Sequence, residues 1–241
     1  MDQAAQRGNP SMVWRSGQER RLEMVRVRVP LETVRIIDIG CGVGLYIQAF
    51  MRFSPQVFGT EIEFDRATLS HRVVPHIATA EAEALPFRNG TFDVAFLHEM
   101  IEHVRDDRQT IREAYRVTRD GGYIVIFAPN RWFPFETHGF YWKNRYIFGN
   151  IPLINYLPGF VRNRLAPHVR VYSGKNLRRL FTGLNVDIEY FTQIFPGFDR
   201  LEATSGKYGR IVRRILYALE KTPLRLFGIS HFVVLKVKKK T

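Results

Sequence analysis

Short apolar runs near residues 34–39, 56–61, 76–79, 92–97 and 122–128 alternate with longer charged stretches. A strand covered on both faces shows such a near-continuous apolar run, so these segments are expected as buried parallel strands. Between them, apolar positions recurring every three or four residues predict helices near 44–53, 65–72 and 107–118. A charged helix over 17–28 precedes the first strand, with Leu22, Val25 and Val29 as its apolar contacts and the cofactor end as the region it would cover. Asp120-Gly121-Gly122 marks the turn into the fifth strand, and Ser173 is an N-cap for a helix at 174–183. Strands from 185 to 191 and from 231 to 237 complete the series. Alternation of this kind predicts an α/β, Rossmann-like, doubly wound sheet.

Two stretches break the pattern. Residues 131–170 are crowded with aromatics, among them Trp132, Phe133, Phe135, Phe140, Tyr141 and Trp142. Residues 192–229 contain Tyr208, Ile211, Val212, Ile215, Leu216 and Leu219 at helical spacing, interleaved with Lys207, Arg210, Arg213, Arg214 and Lys221. Both are expected as insertions on the substrate side, one an aromatic lid and the other a basic amphipathic helix. The lid either walls the pocket or packs without touching substrate. The helix either docks its apolar face onto the core or lies on an anionic membrane surface.

Composition narrows the class. The 241 residues, 45% hydrophobic and 24% charged, suit one globular domain over 1–241, and no internal repeat is visible. Cys41 is the only cysteine, which excludes a disulfide framework and suits a reducing compartment. With no apolar run long enough to span a bilayer and no signal-peptide core, a cytoplasmic protein is expected, with a peripheral membrane location as an extension of that reading. The net charge of +13 calls for an anionic partner, whether phospholipid, nucleic acid or acidic substrate, and the run Lys236-Val237-Lys238-Lys239-Lys240 reads as a biased tail.

The chemistry begins at Asp38-Ile39-Gly40-Cys41-Gly42-Val43-Gly44, where a buried strand runs into a glycine-rich turn that lets the backbone approach a ligand closely. Leu45 stands where a dinucleotide-binding loop has its third glycine, which speaks against NAD. About twenty residues on, Glu61 ends a second strand at the spacing of a ribose-binding carboxylate. Glu81-Ala82-Glu83-Ala84-Leu85-Pro86-Phe87 and Gly90-Thr91-Phe92-Asp93 follow. In order and spacing these segments resemble the class I S-adenosylmethionine (SAM) dependent methyltransferases, particularly the branch with an LPF…FD signature. The match spans roughly residues 34–130.

The resemblance implies a seven-stranded sheet, mostly parallel with an antiparallel last strand, and SAM as cofactor. It places Asp38, Gly40, Gly42 and Gly44 around the methionine and ribose portion, Glu61 on the ribose diol, and Glu81 and Ala82 at the adenine, with Cys41 and His98 also expected among the cofactor-binding residues. The family often has Asp where this chain has Glu81. His98-Glu99-Met100-Ile101-Glu102-His103 follows the fourth strand, and its spacing would put Glu99, Glu102 and His103 on one face of a helical turn. This Glu-x-x-Glu-His pattern resembles the magnesium site of small-RNA 2′-O-methyltransferases and of ubiquinone-pathway O-methyltransferases, and His138 is placed to join the set. Without a metal, His103 or His138 is the candidate general base. The expected activity is O-methylation of a small, glycan-type or lipid-linked hydroxylated acceptor. A metal-assisted RNA ribose methyltransferase and a non-catalytic, membrane-associated scaffold are the alternatives; no recognised RNA-binding module is evident.

Overall fold

In the computed structural model, which describes residues 13–72, 74–143 and 145–239, the apolar runs form the strands of one sheet. These are β1 (Ile36–Ile39), β2 (Val57–Glu61), β3 (Ile77–Thr79), β4 (Phe92–His98), β5 (Thr118–Pro129), β10 (Val186–Ile194) and β11 (Ser230–Val237), in the spatial order β10-β11-β5-β4-β1-β2-β3. β11 runs antiparallel to both β5 and β10, and the other pairings are parallel, as expected. The connecting helices are α1 (Ser16–Arg26), α2 (Leu45–Phe50), α3 (Phe64–His71), α4 (Asp107–Val117) and, beyond the lid, α6 (Gly174–Arg179).

Both faces of β1, β4, β5 and β11 are buried along most of their length, which is why these strands read as continuous apolar runs. Along β5, Ile124, Ile126 and Ala128 join the cluster packed against Ile111, Ala114 and Leu177, whereas Val125 and Phe127 join Leu22, Val25, Ile47 and Phe50 on the opposite face. Open sheets of this kind bind ligands outside the carboxyl ends of their strands, so β1, β2 and β4 aim their last residues at one crevice.

Four local expectations need correction. Asp120-Gly121-Gly122 is a bulge inside β5 and not a turn before it, because the register jumps from Phe92↔Thr118 to Val94↔Tyr123. The helix at 174–183 stops at Arg179, with Ser173 capping it through the main-chain N–H of Asn176. β10 continues to Ile194, so the second insertion begins later than 192. Lys236 and Val237 belong to β11, and Lys239 donates to the carbonyl oxygens of Arg116 and Thr118; Lys240 lies outside the described residues.

The aromatic insertion folds as two small ribbons, β6 (Phe135–Glu136) with β9 (Ile151–Pro152) and β7 (Phe140–Trp142) with β8 (Arg145–Ile147), followed by α5 (Gly159–Leu165). The second insertion carries α7 (Asp199–Leu219), broken at Gly206, and a 3-10 turn at Pro223–Phe227. Asp199 accepts the main-chain N–H groups of Ser16 and Gly17, which fastens this insertion to the start of α1.

Candidate active site

The turn after β1 requires φ of 74° at Gly40 and 58° at Gly42, values that L side chains rarely adopt. The Glu61 carboxylate at the end of β2 accepts the main-chain N–H of Gly42 at 2.9 Å, of Ile62 at 2.9 Å and of Glu63 at 3.0 Å. It thereby ties the glycine turn to the neighbouring strand end. Asp38, Gly40, Cys41, Gly42, Glu61 and His98 stand in the wall of a cavity of about 450 Å³ that Glu81 and Ala82 close on another side. Gly44 stands just outside that wall, where the turn requires φ of 81° and a Cβ would sit 3.2 Å from Ser70 Oγ. Burial, reinforced by nearby Glu61, pushes the Asp38 carboxyl up to about 8. Burial pushes the Cys41 thiol well up as well, so it is a small wall residue and no nucleophile. Glu81 is ion-paired with Arg105 at the cavity rim.

His98, at the end of β4, has its Nε2 2.6 Å from Arg21 Nη1 and 3.2 Å from the Tyr46 hydroxyl. A guanidinium can only donate, so Nε2 is the acceptor and the proton resides on Nδ1. Burial, and then the Arg21 charge, keep this imidazole neutral. Arg21 comes from α1, which also lends Gln18 to the cavity wall and so covers the cofactor end as expected.

The segment after β4 is no helical turn. Glu99 takes φ of 49°, and its carboxylate pairs with Arg21 at 3.1 Å and accepts from the Ser230 hydroxyl. Glu99 is thereby separated from Glu102, His103 and His138, whose ligating atoms lie within 4.8 Å of one another. Glu102 is buried, and neither carboxylate oxygen has a hydrogen-bond partner. Burial, with Glu99 nearby, holds its carboxyl well above the usual range. Burial and the neighbouring His138 bring His103 down to about 3.

His138 follows β6. Its Nδ1 lies 3.1 Å from Glu136 Oε1, and its main-chain N–H donates to the same oxygen at 2.9 Å. Glu136 Oε2 in turn accepts from Arg162 Nη2 at 2.7 Å, with both side chains 1% exposed. Burial alone would raise the Glu136 carboxyl, but the His138 hydrogen bond and the Arg162 charge outweigh it and bring it to about 2. An ionised Glu136 fixes the Nδ1–H tautomer of His138 and leaves Nε2 as its basic nitrogen. The Tyr146 hydroxyl and His168 Nε2 hold the His138 carbonyl from the other side.

His138 and Glu99 belong to two cavities at once. The second, of about 240 Å³, is walled by Asn130, Phe133, Phe135 and Ile229 among others, and the two spaces meet at these residues. Sequence reasoning missed Arg21, Asn130, Glu136, Arg162 and His168. Glu136 had a local signal, two residues before His138 in a run already singled out; Arg21 and Arg162 look like ordinary charges of amphipathic helices.

Residues 37–126 match the family model described as a methyltransferase domain. A ubiquinone biosynthesis O-methyltransferase of Ralstonia nicotianae is 31% identical over 118 residues, 46% of this chain and 50% of that protein. One from Mesorhizobium japonicum is 34% identical over 113 residues, 44% of this chain and 45% of that protein. The chain spans about half the length of the curated relatives it matches. Among solved structures, an S-adenosylmethionine dependent methyltransferase from Mesorhizobium loti superposes with a TM-score of 0.62 at 15% identity, over 89% of this chain and 96% of that one. The [4+2]-cyclase SpnF superposes with a TM-score of 0.63 at 16% identity, over 96% and 86%. At such identities the likeness is one of fold, and a fold hosts more than one chemistry.

Proposed function

We propose that this chain, which carries a class I S-adenosylmethionine-dependent methyltransferase domain, transfers a methyl group to a hydroxyl oxygen of a small, largely apolar acceptor. The observation that carries this reading is the meeting of the two cavities at His138. One has the volume and the glycine-turn and Glu61 frame suited to SAM; the other has apolar walls in Phe133, Phe135 and Ile229. A lipid-linked hydroxylated acceptor fits the apolar walls, whereas a glycan-type acceptor would have to use the polar wall residues Asn130, Thr137 and Asn155.

The sulfonium of bound SAM supplies an already activated methyl group, so the protein has chiefly to align the acceptor with it. Asp38 and the turn at Gly40 to Gly42 would bind the methionine portion, and Glu61, whose Oε2 accepts a single main-chain N–H, has a lone pair left for a ribose hydroxyl. In a transfer that joins the acceptor oxygen to the methyl carbon and releases the sulfur, His138 Nε2 would take the hydroxyl proton, with Glu136 stabilising the resulting imidazolium. His103, held near 3, is a poor base.

A divalent cation also fits the donor set, because the two orphaned oxygens of Glu102 stand beside two imidazoles and lack any other partner. Glu102, His103 and His138 would hold it, and it would lower the pKa of an acceptor hydroxyl. This group is the observation that favours the second reading, a metal-assisted RNA ribose methyltransferase. Activity that disappears in EDTA, together with RNA binding that falls steeply with salt, would select that alternative.

The test is calorimetric titration with SAM, wild type beside Glu61→Ala, followed by transfer from radiolabelled SAM to hydroxylated aromatics and lipid extracts. SAM binding weakened in Glu61→Ala and an O-methylated product lost in His138→Gln are expected. Binding with no labelled product from any acceptor would sink the transferase reading and leave the scaffold.

A further inference from the structure

The second half of α7 is attached to the protein by a face other than its most apolar one. Tyr217 lies under the Arg20 guanidinium at 3.7 Å, and Glu220, just past the helix end, pairs with Arg20 and accepts the main-chain N–H of Phe195 at 2.8 Å. At 3.6 residues per turn, Tyr208, Ile211, Val212 and Ile215 fall within an arc of about 100° that points elsewhere. They are exposed, Tyr208 at 79% and Ile215 at 55%. Leu224, Leu226 and Phe227 in the following 3-10 turn are exposed too. Docking onto the core, the commoner fate of such a stripe, does not occur here.

The charges beside the stripe have one sign. Lys207, Arg210, Arg214, Lys221 and Arg225 are exposed, and between Thr204 and Leu219 the chain has no carboxylate. An apolar stripe flanked by cations only is complementary to a layer whose interior is hydrocarbon and whose surface is anionic. A second copy of this chain is the poorer occupant, since a symmetric contact would set the same basic rows against each other.

We propose that residues 207–227 dock on an anionic phospholipid surface, with Tyr208, Ile211, Val212 and Ile215 inserted among the acyl chains and the basic residues on the headgroups. The surface is fastened to the wall of the second cavity. Asn130 Nδ2 donates at 2.7 Å to the carbonyl oxygens of both Leu226 and Gly228, while Asn130 Oδ1 accepts the main-chain N–H of Trp132 at 3.2 Å. Asn130 and Ile229 both face that cavity, so a docked 3-10 turn sets the acceptor cavity beside the lipid. This last coupling rests on the methyl-transfer reading; the docking does not.

The experiment is cosedimentation with phosphatidylcholine vesicles with and without phosphatidylglycerol, using the full chain, an Arg210→Gln/Arg214→Gln variant and an Ile211→Glu/Ile215→Glu variant. Wild type is expected to pellet only with the anionic vesicles. The arginine pair should lower the affinity about 25-fold, about fivefold for each cation removed. The isoleucine pair should abolish binding while circular dichroism and SAM titration stay unchanged, which separates loss of the surface from loss of the fold. No pelleting with anionic vesicles would overturn the proposal, as would undiminished pelleting of the isoleucine variant. A dimer in sedimentation equilibrium that the isoleucine variant dissolves, without vesicle binding, would assign the surface to a second copy instead. No readout here needs an acceptor, so failure of the docking and failure of the transferase reading are distinguishable.

Discussion

On the cofactor side of the site, residues 38–44 and 61–63 come from two adjacent strand ends and are joined by main-chain groups reaching a single carboxylate, Glu61. The proposed acceptor side is assembled the other way, from side chains distant in sequence. Glu136 meets Arg162 from 26 residues away, and Asn130 reaches Leu226 across 96. The first arrangement follows from the path of the backbone and tolerates most side-chain changes around it. The second depends on buried charges that must keep their partners, which makes it fragile.

The sharpest way to expose that difference is Arg162→Met, which leaves Glu136 buried without its counter-ion. A loss of about 3–5 kcal/mol is expected in urea denaturation, and adding Glu136→Gln should recover part of it. If Arg162→Met is as stable as wild type, the acceptor side is not held by this pair. His138→Gln should retain the fold and lower turnover by about a hundredfold or more, with SAM affinity unchanged. An equal fall in SAM affinity would merge the two sides into one unit. Glu61→Ala should cost SAM binding about 1.5–3 kcal/mol, read by calorimetry, while leaving the Glu136–Arg162 pair intact.

The two sides also contrast in pH dependence. The Asp38 carboxyl is raised in the fold from 3.8 to about 8, so the unliganded protein binds more protons folded than unfolded and loses stability as pH rises through that window. Glu136 is lowered from 4.5 to about 2, so its contribution is present above 4.5 and is lost as pH falls toward 2. Melting temperatures of wild type and Asp38→Asn across pH 4 to 8 should show the first slope in wild type only. At pH 7 the positively charged cofactor should also expel a proton from Asp38, giving a binding enthalpy that varies with buffer ionisation heat; a buffer-independent enthalpy would contradict this.

The sheet was legible because most of its strands are buried on both faces and its helices are amphipathic, and the glycine turn was legible because φ near 60–75° leaves few residue choices. Glu99 was misplaced for a related reason. Helical spacing assumes a helical backbone, and the left-handed φ at Glu99 turns its side chain toward Arg21 and Ser230 instead. Arg162 and Arg21 left no mark at all: a buried arginine has the same letter as a solvated one, and only the fold reveals which carboxylate it faces.

The register between the last two strands has one more consequence. Ile194 and Ser230 stand directly opposite each other, so residues 195–229 leave the sheet and return to it at a single point. The segment is therefore a graft on a hairpin, and replacing it with a short turn would preserve the order of the strands. Nature and the protein engineer have the same freedom there: a chain of this architecture can be given a different surface to adhere to without rebuilding the site that holds its cofactor.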